Sequence, residues 1–99
     1  MEVSENMVKI KTKRKIGYNF SKSTSWNIKR GLNVLKNKYH IESERKRLLI
    51  VGKELEVRAI QYKNDNPKLS RKVRKMAKRA YELHDRKVGR MIEENLRGE

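Results

Sequence analysis

Two histidines, His40 and His84, are the only imidazoles in this chain, and there is no cysteine. Disulfides, thiolate metal sites and cysteine nucleophiles are therefore excluded. No HExxH, paired-histidine or CxxC spacing is present to hold zinc, and no cofactor is implied. His84-Asp85 sets a base beside an acid, but successive helix residues point about 100° apart, so the two are not expected to meet directly as a catalytic pair. Glu93-Glu94 lack further carboxylates at helical spacing, which argues against a magnesium nuclease centre. The five glycines stand singly, so no loop is built to cradle a nucleotide phosphate. A metal-free ribonuclease working through Lys, Arg, Tyr and His is the one enzyme class left open. Otherwise the chain is expected to act without catalysis.

The chemistry that the sequence does concentrate is cationic. Net charge is +15 over 99 residues, with 27 Lys and Arg against 12 Asp and Glu. Residues 6–41 hold ten basic and no acidic residues, and residues 66–80 hold seven basic and none acidic. Residues 42–65 (six basic, five acidic) and 81–99 (four basic, five acidic) are nearly balanced. The excess thus sits in two acid-free blocks, where local ion pairs cannot form and like charges repel. Fields of this kind attract polyanions, nucleic acid above all.

Within these blocks the candidate phosphate contacts are Lys9, Lys11, Lys13, Arg14 and Lys15 near the N-terminus, and Arg71, Lys72, Arg74, Lys75, Lys78 and Arg79 in SRKVRKMAKRA. Arg71, Lys75 and Arg79 form a ladder at i, i+4, i+8, with Arg74 and Lys78 beside it. Each like-charge pair costs a few tenths of a kcal/mol. The positive end of the helix dipole adds a similar penalty per charge near the start. A merely solvated face would intersperse acids, as Glu82 and Asp85 do immediately afterwards. Clustered cations grip phosphate without reading sequence.

Residues 32–49 have the outline of a helix-turn-helix, with a turn at His40-Ile41 and a Ser43-capped second helix opening on Glu44, Arg45, Lys46 and Arg47. Arg45, Lys46 and Arg47 would then offer modest base readout. The turn lacks the usual glycine. Tyr18, Phe20 and Trp26 lie among lysines and could stack on bases, but in a chain this poor in aromatics Phe20 and Trp26 are expected in the core.

Positioning these residues calls for three helices. Ser23, Thr24 and Ser25 precede a stripe of Ile28, Leu32, Leu35 and Tyr39, predicting a helix over about 25–38. Leu48, Val51, Leu55, Ala59 and Tyr62 predict a second over 43–63, with Leu49, Ile50, Val57 and Ile60 as another apolar stripe. That second stripe is the feature that would suit a dimer or a partner groove. The competing reading of this stretch is a β-hairpin at 46–60 turning on Gly52-Lys53, with a further strand at 7–13. Helix formers dominate the segment, so the helix is preferred. Asn64-Asp65-Asn66-Pro67 breaks the chain, and Pro67 opens a third helix over 67–96. Its stripe runs through Leu69, Val73, Met76, Ala77, Ala80 and Leu83.

The expected organisation is a basic N-terminal arm at 1–22 and a single small, mainly α domain at 23–99. A small core is all that this length supports. No apolar run of signal-peptide or membrane-spanning length occurs, and a cytoplasmic setting in a cell or an infected host is expected. The Lys-, Asn- and Ile-rich composition is of the kind seen in small viral and plasmid proteins. Expected partners are DNA or RNA, or alternatively an acidic protein surface, with a homodimer as a further option. A membrane is not expected, since the apolar side of the third helix lacks Trp and Phe.

Overall fold

The computed structural model describes residues 14–97, with side chains placed as far as Arg90. It is a mainly α structure of three helices: α1 (Thr24–Asn37), α2 (Glu44–Tyr62) and α3 (Pro67–Arg97). The described residues contain no strand, so the hairpin at 46–60 is overturned. The reason lies at Gly52. A Cβ there would stand 2.8 Å from Cε1 of Tyr81, so this glycine is a crossing point where α3 presses on α2 and not a turn. The strand at 7–13 lies outside the described residues.

Each helix begins on a side-chain cap. The Ser23 hydroxyl accepts from Trp26 N–H (3.1 Å), the Ser43 hydroxyl from Lys46 N–H (3.2 Å), and Asn66 Oδ1 from Leu69 N–H (3.2 Å). These bonds satisfy donors that no helical carbonyl can reach. Between α1 and α2 the chain reverses at His40, which takes a left-handed φ of 56°, and Ile41 N–H closes on Leu35 O at 3.0 Å. Histidine, one of the side chains tolerated there, does the work that glycine usually does.

The three apolar stripes converge on one core of Ile28, Leu35, Leu48, Val51, Leu55, Ala59, Val73, Met76, Ala77 and Ala80, with Ile16 added from the segment before α1. The α2–α3 interface is the largest, α1 packs mainly on α2, and α1 touches α3 least. Helix α2 is therefore the spine. Val57 is buried, so the second stripe expected on α2 reduces to half-buried Leu49 and Ile50 and exposed Ile60.

Residues 14–22 run without helix against this bundle. Ile16 is buried, and its carbonyl accepts from Arg30 Nε at 3.0 Å. Fully buried Asn27 accepts from Asn19 N–H (2.8 Å) and donates to the carbonyls of Asn19 (2.9 Å) and Ser23 (3.0 Å), tying the segment to α1. Phe20 stacks on Tyr18 and meets Tyr62 edge-on, both at 6.1 Å between ring centroids. Lys72 Nζ donates to the Phe20 carbonyl, linking the same segment to α3.

Candidate nucleic-acid interface

Helix α3 turns about 100° per residue, so Arg71, Lys72, Arg74, Lys75, Lys78 and Arg79 occupy an arc of about 160°, opposite Val73, Met76, Ala77 and Ala80. All six are exposed. Arg79 Nη1 lies 3.4 Å from Glu82 Oε2, whereas Arg71, Arg74, Lys75 and Lys78 have no ion-pair partner among the described residues.

The two flanks of this arc differ. On the α2 side, Arg74 and Lys78 border a recess of about 330 Å³ together with Ile60, Tyr81 and the acid Glu56. Tyr81 donates to Glu56 Oε2 at 3.0 Å, and burial, followed by this carboxylate, pushes its pKa up to about 12. On the α1 side, Lys75 and Arg79 face Lys29 across a groove of about 580 Å³, with Ile28, Leu32 and Leu83 on its floor and Thr24 and Ser25 at its end. No acid lines that groove. Leu32 and Leu83 continue into a smaller recess of about 210 Å³ bordered by Arg86, Arg90 and the Lys87–Glu44 ion pair. The bond from Lys87 holds the Glu44 carboxyl below its ordinary range.

The groove exists because α1 and α3 barely touch, each being held by α2. Its chemistry follows from the sequence blocks that meet there. Lys29 comes from the acid-free stretch at 6–41, Lys75 and Arg79 from that at 66–80. Cations 40 or more residues apart along the chain thus line one channel, where their fields add. Such a channel can hold a row of phosphates, or any comparably spaced anions, against an apolar floor.

The remaining residues singled out from the sequence are distributed otherwise. Lys9, Lys11 and Lys13 lie outside the described residues. Arg14, its side chain still 38% exposed, lies 4.0 Å from Glu54 and 5.9 Å from the Tyr39 ring centroid. Lys15 is exposed and donates its backbone N–H to the Tyr39 hydroxyl at 3.1 Å. Arg45 and Lys46 are exposed at the start of α2, away from the groove lining. Arg47 does not face solvent: it is 8% exposed, and its Nη1 donates to the carbonyls of Ile41 (2.6 Å) and Glu42 (2.7 Å). It clamps the inter-helix turn and has no reach to a base edge.

Lys29 is the groove residue that sequence reasoning missed. Its signal was present in the absence of any acid on α1, but only the packing brings it opposite Lys75 and Arg79. Trp26 was expected in the core and is instead 39% exposed. Glu54 was also missed. It is buried, accepts from the Tyr18 hydroxyl at 3.2 Å, and has Arg58 over the Tyr18 ring at 5.6 Å. Burial pushes its carboxyl pKa up despite the Tyr18 bond and the two arginines, and burial likewise raises that of Tyr18.

Little else is arranged for chemistry. His84 Nδ1 does meet Asp85 Oδ1, at 3.2 Å, contrary to the expectation from helical spacing. The described residues hold no cluster of three or more His, Asp or Glu suited to a metal ion. No described helix is long and apolar enough to cross a membrane. No protein-family model, curated protein or solved structure matches this chain.

Proposed function

We propose that this protein binds DNA or RNA without catalysing a reaction on it, gripping the phosphate backbone along the α1–α3 groove. The observation that carries this reading is the meeting of the two acid-free blocks across that groove, Lys29 on one wall and Lys75 and Arg79 on the other. Lys72 and Arg71 extend the cationic surface along α3 towards its start. Contacts of this type hold the backbone and leave the bases unread.

The test is an affinity measurement against salt. Four phosphates neutralised by Lys29, Lys72, Lys75 and Arg79 give a log K against log[salt] slope of about −3.6 on duplex DNA. Replacing Lys29, Lys75 and Arg79 together with Gln is expected to cut that slope to about −0.9 and to weaken all sequences alike. Replacing Arg74 and Lys78, on the flank that carries Glu56, is expected to cost less. A flat salt response refutes the reading.

The apolar floor of Ile28, Leu32 and Leu83 supports one second reading, an acidic amphipathic helix docked in the groove. Polyglutamate competing with nucleic acid at equal charge concentration would favour it.

A further inference from the structure

Six aromatic side chains are present, and five of them, Tyr18, Phe20, Tyr39, Tyr62 and Tyr81, pack against the core. Trp26 does not. It is the chain's only tryptophan and stands 39% exposed in the first turn of α1. An indole is the costliest aromatic surface to leave in water, and the Ser23 cap fixes the turn that carries it.

Its surroundings are cationic and polar. Lys29 and Arg30 follow at i+3 and i+4, the positions that neighbour it on a helix surface, and exposed Asn33 continues the same face. Arg30 is held in place by the carbonyl of Ile16. Lys29, one turn along from the indole, is also the α1 wall of the groove. A rigid aromatic face beside a row of cations matches the alternation of base and phosphate in an unpaired strand. In a duplex the bases are stacked on one another and offer no free face.

We propose that Trp26 is a stacking platform for an unpaired nucleobase, so that the protein prefers single-stranded nucleic acid to duplex. The inference rests on the nucleic-acid reading above and adds to it the form of the ligand. Phosphates on Lys29 and along the groove hold the strand, and Trp26 takes a base from it.

The lone tryptophan makes the experiment direct. Fluorescence anisotropy of labelled oligo(dT), and of a blunt duplex of equal length, measures binding. Trp26 emission is followed in parallel. Expected are quenching by oligo(dT) with little change on duplex, a loss of roughly 10- to 100-fold in oligo(dT) affinity for Trp26→Ala, near-native affinity for Trp26→Phe, and unchanged duplex affinity for both. Oligo(dT) binding with unaltered emission, or Trp26→Ala binding it as tightly as the parent chain, overturns the stacking role while leaving the groove reading intact. Binding to neither oligonucleotide overturns both.

Discussion

Adding one methyl group at Gly31 tests the packing that holds the groove open. A Cβ there would stand 2.6 Å from Cγ2 of Val51 and 2.9 Å from the Tyr18 hydroxyl. Neither neighbour can yield freely. Val51 is fully buried, and β-branching leaves it one strongly preferred rotamer in a helix. Tyr18 is held by its bond to buried Glu54. Gly31→Ala therefore gains about 1 kcal/mol of helix propensity. It forfeits about 1–3 kcal/mol in overpacking, and about 1–3 kcal/mol more if Tyr18 swings off Glu54. With Tyr18 displaced, as its 2.9 Å approach to the added Cβ requires, the net expectation is a loss of about 1–5 kcal/mol, read as a lower urea midpoint at unchanged slope. Gly89→Ala is the internal control. Nothing lies within 4 Å of a Cβ at Gly89, so the same propensity gain should appear alone, as about 1 kcal/mol of added stability. Gly31→Ala matching or exceeding the parent chain would refute the packing argument.

Three further outcomes are expected. Glu54 binds its proton more tightly folded than unfolded because burial raises its pKa, so its favourable contribution is full below the ordinary carboxylate pKa and is lost as pH rises through the raised value. Glu54→Gln keeps an acceptor for Tyr18 and should be more stable than the parent at pH 7.5, with the gap closing at pH 4; a deficit at both pH values in thermal melts would contradict this. Arg47→Met should cost about 2–4 kcal/mol, because two turn carbonyls lose a charged donor, yet leave the nucleic-acid affinity of the folded fraction unchanged; a selective loss of affinity would return Arg47 to the interface. Arg71→Glu should raise stability by about 0.5–1 kcal/mol, through the helix dipole and a new i,i+4 pair with Lys75, while weakening binding by more than Arg71→Gln does. Equal weakening by both would place Arg71 off the path of the phosphates.

The helices were legible because their information is local. Apolar stripes at 3.6-residue spacing, serine and asparagine caps and Pro67 placed both ends of all three helices within a residue. The hairpin competed only while Gly52 was read as a turn, since the approach of Tyr81 that demands glycine there is a tertiary fact. Charge on its own did not reveal position. Arg45, Lys46 and Arg47 read as one exposed run, although folding turns the third inward onto its own turn. Asn27 gave no sign that it would anchor residues 14–22, because its partners lie in a segment with no periodicity of its own. Trp26 was assigned to the core on residue type, and its place on the outer side of α1 depends on which stripe the rest of the bundle covers. Both acid-free blocks were plain in the sequence; that they meet was not, because chain order says nothing about which helix faces which.

That meeting bears on why α1 and α3 remain apart. Lys29, Lys75 and Arg79 repel one another across the groove, so closing the gap onto Ile28, Leu32 and Leu83 would bury apolar surface at the expense of bringing like charges together. Helix α2 resolves the conflict by packing against both helices and holding each at a distance. The non-helical segment 14–22 contributes a second tie, through Arg30 on one side and Lys72 on the other. A polyanion entering the groove changes the sign of this term, because each phosphate attracts both walls. Binding should then draw α1 and α3 together and stabilise the fold by mass action. The positive charge at the unfavourable end of α3 obeys the same logic: its cost of a few tenths of a kcal/mol per residue falls on the free protein, and a bound polyanion would reverse it.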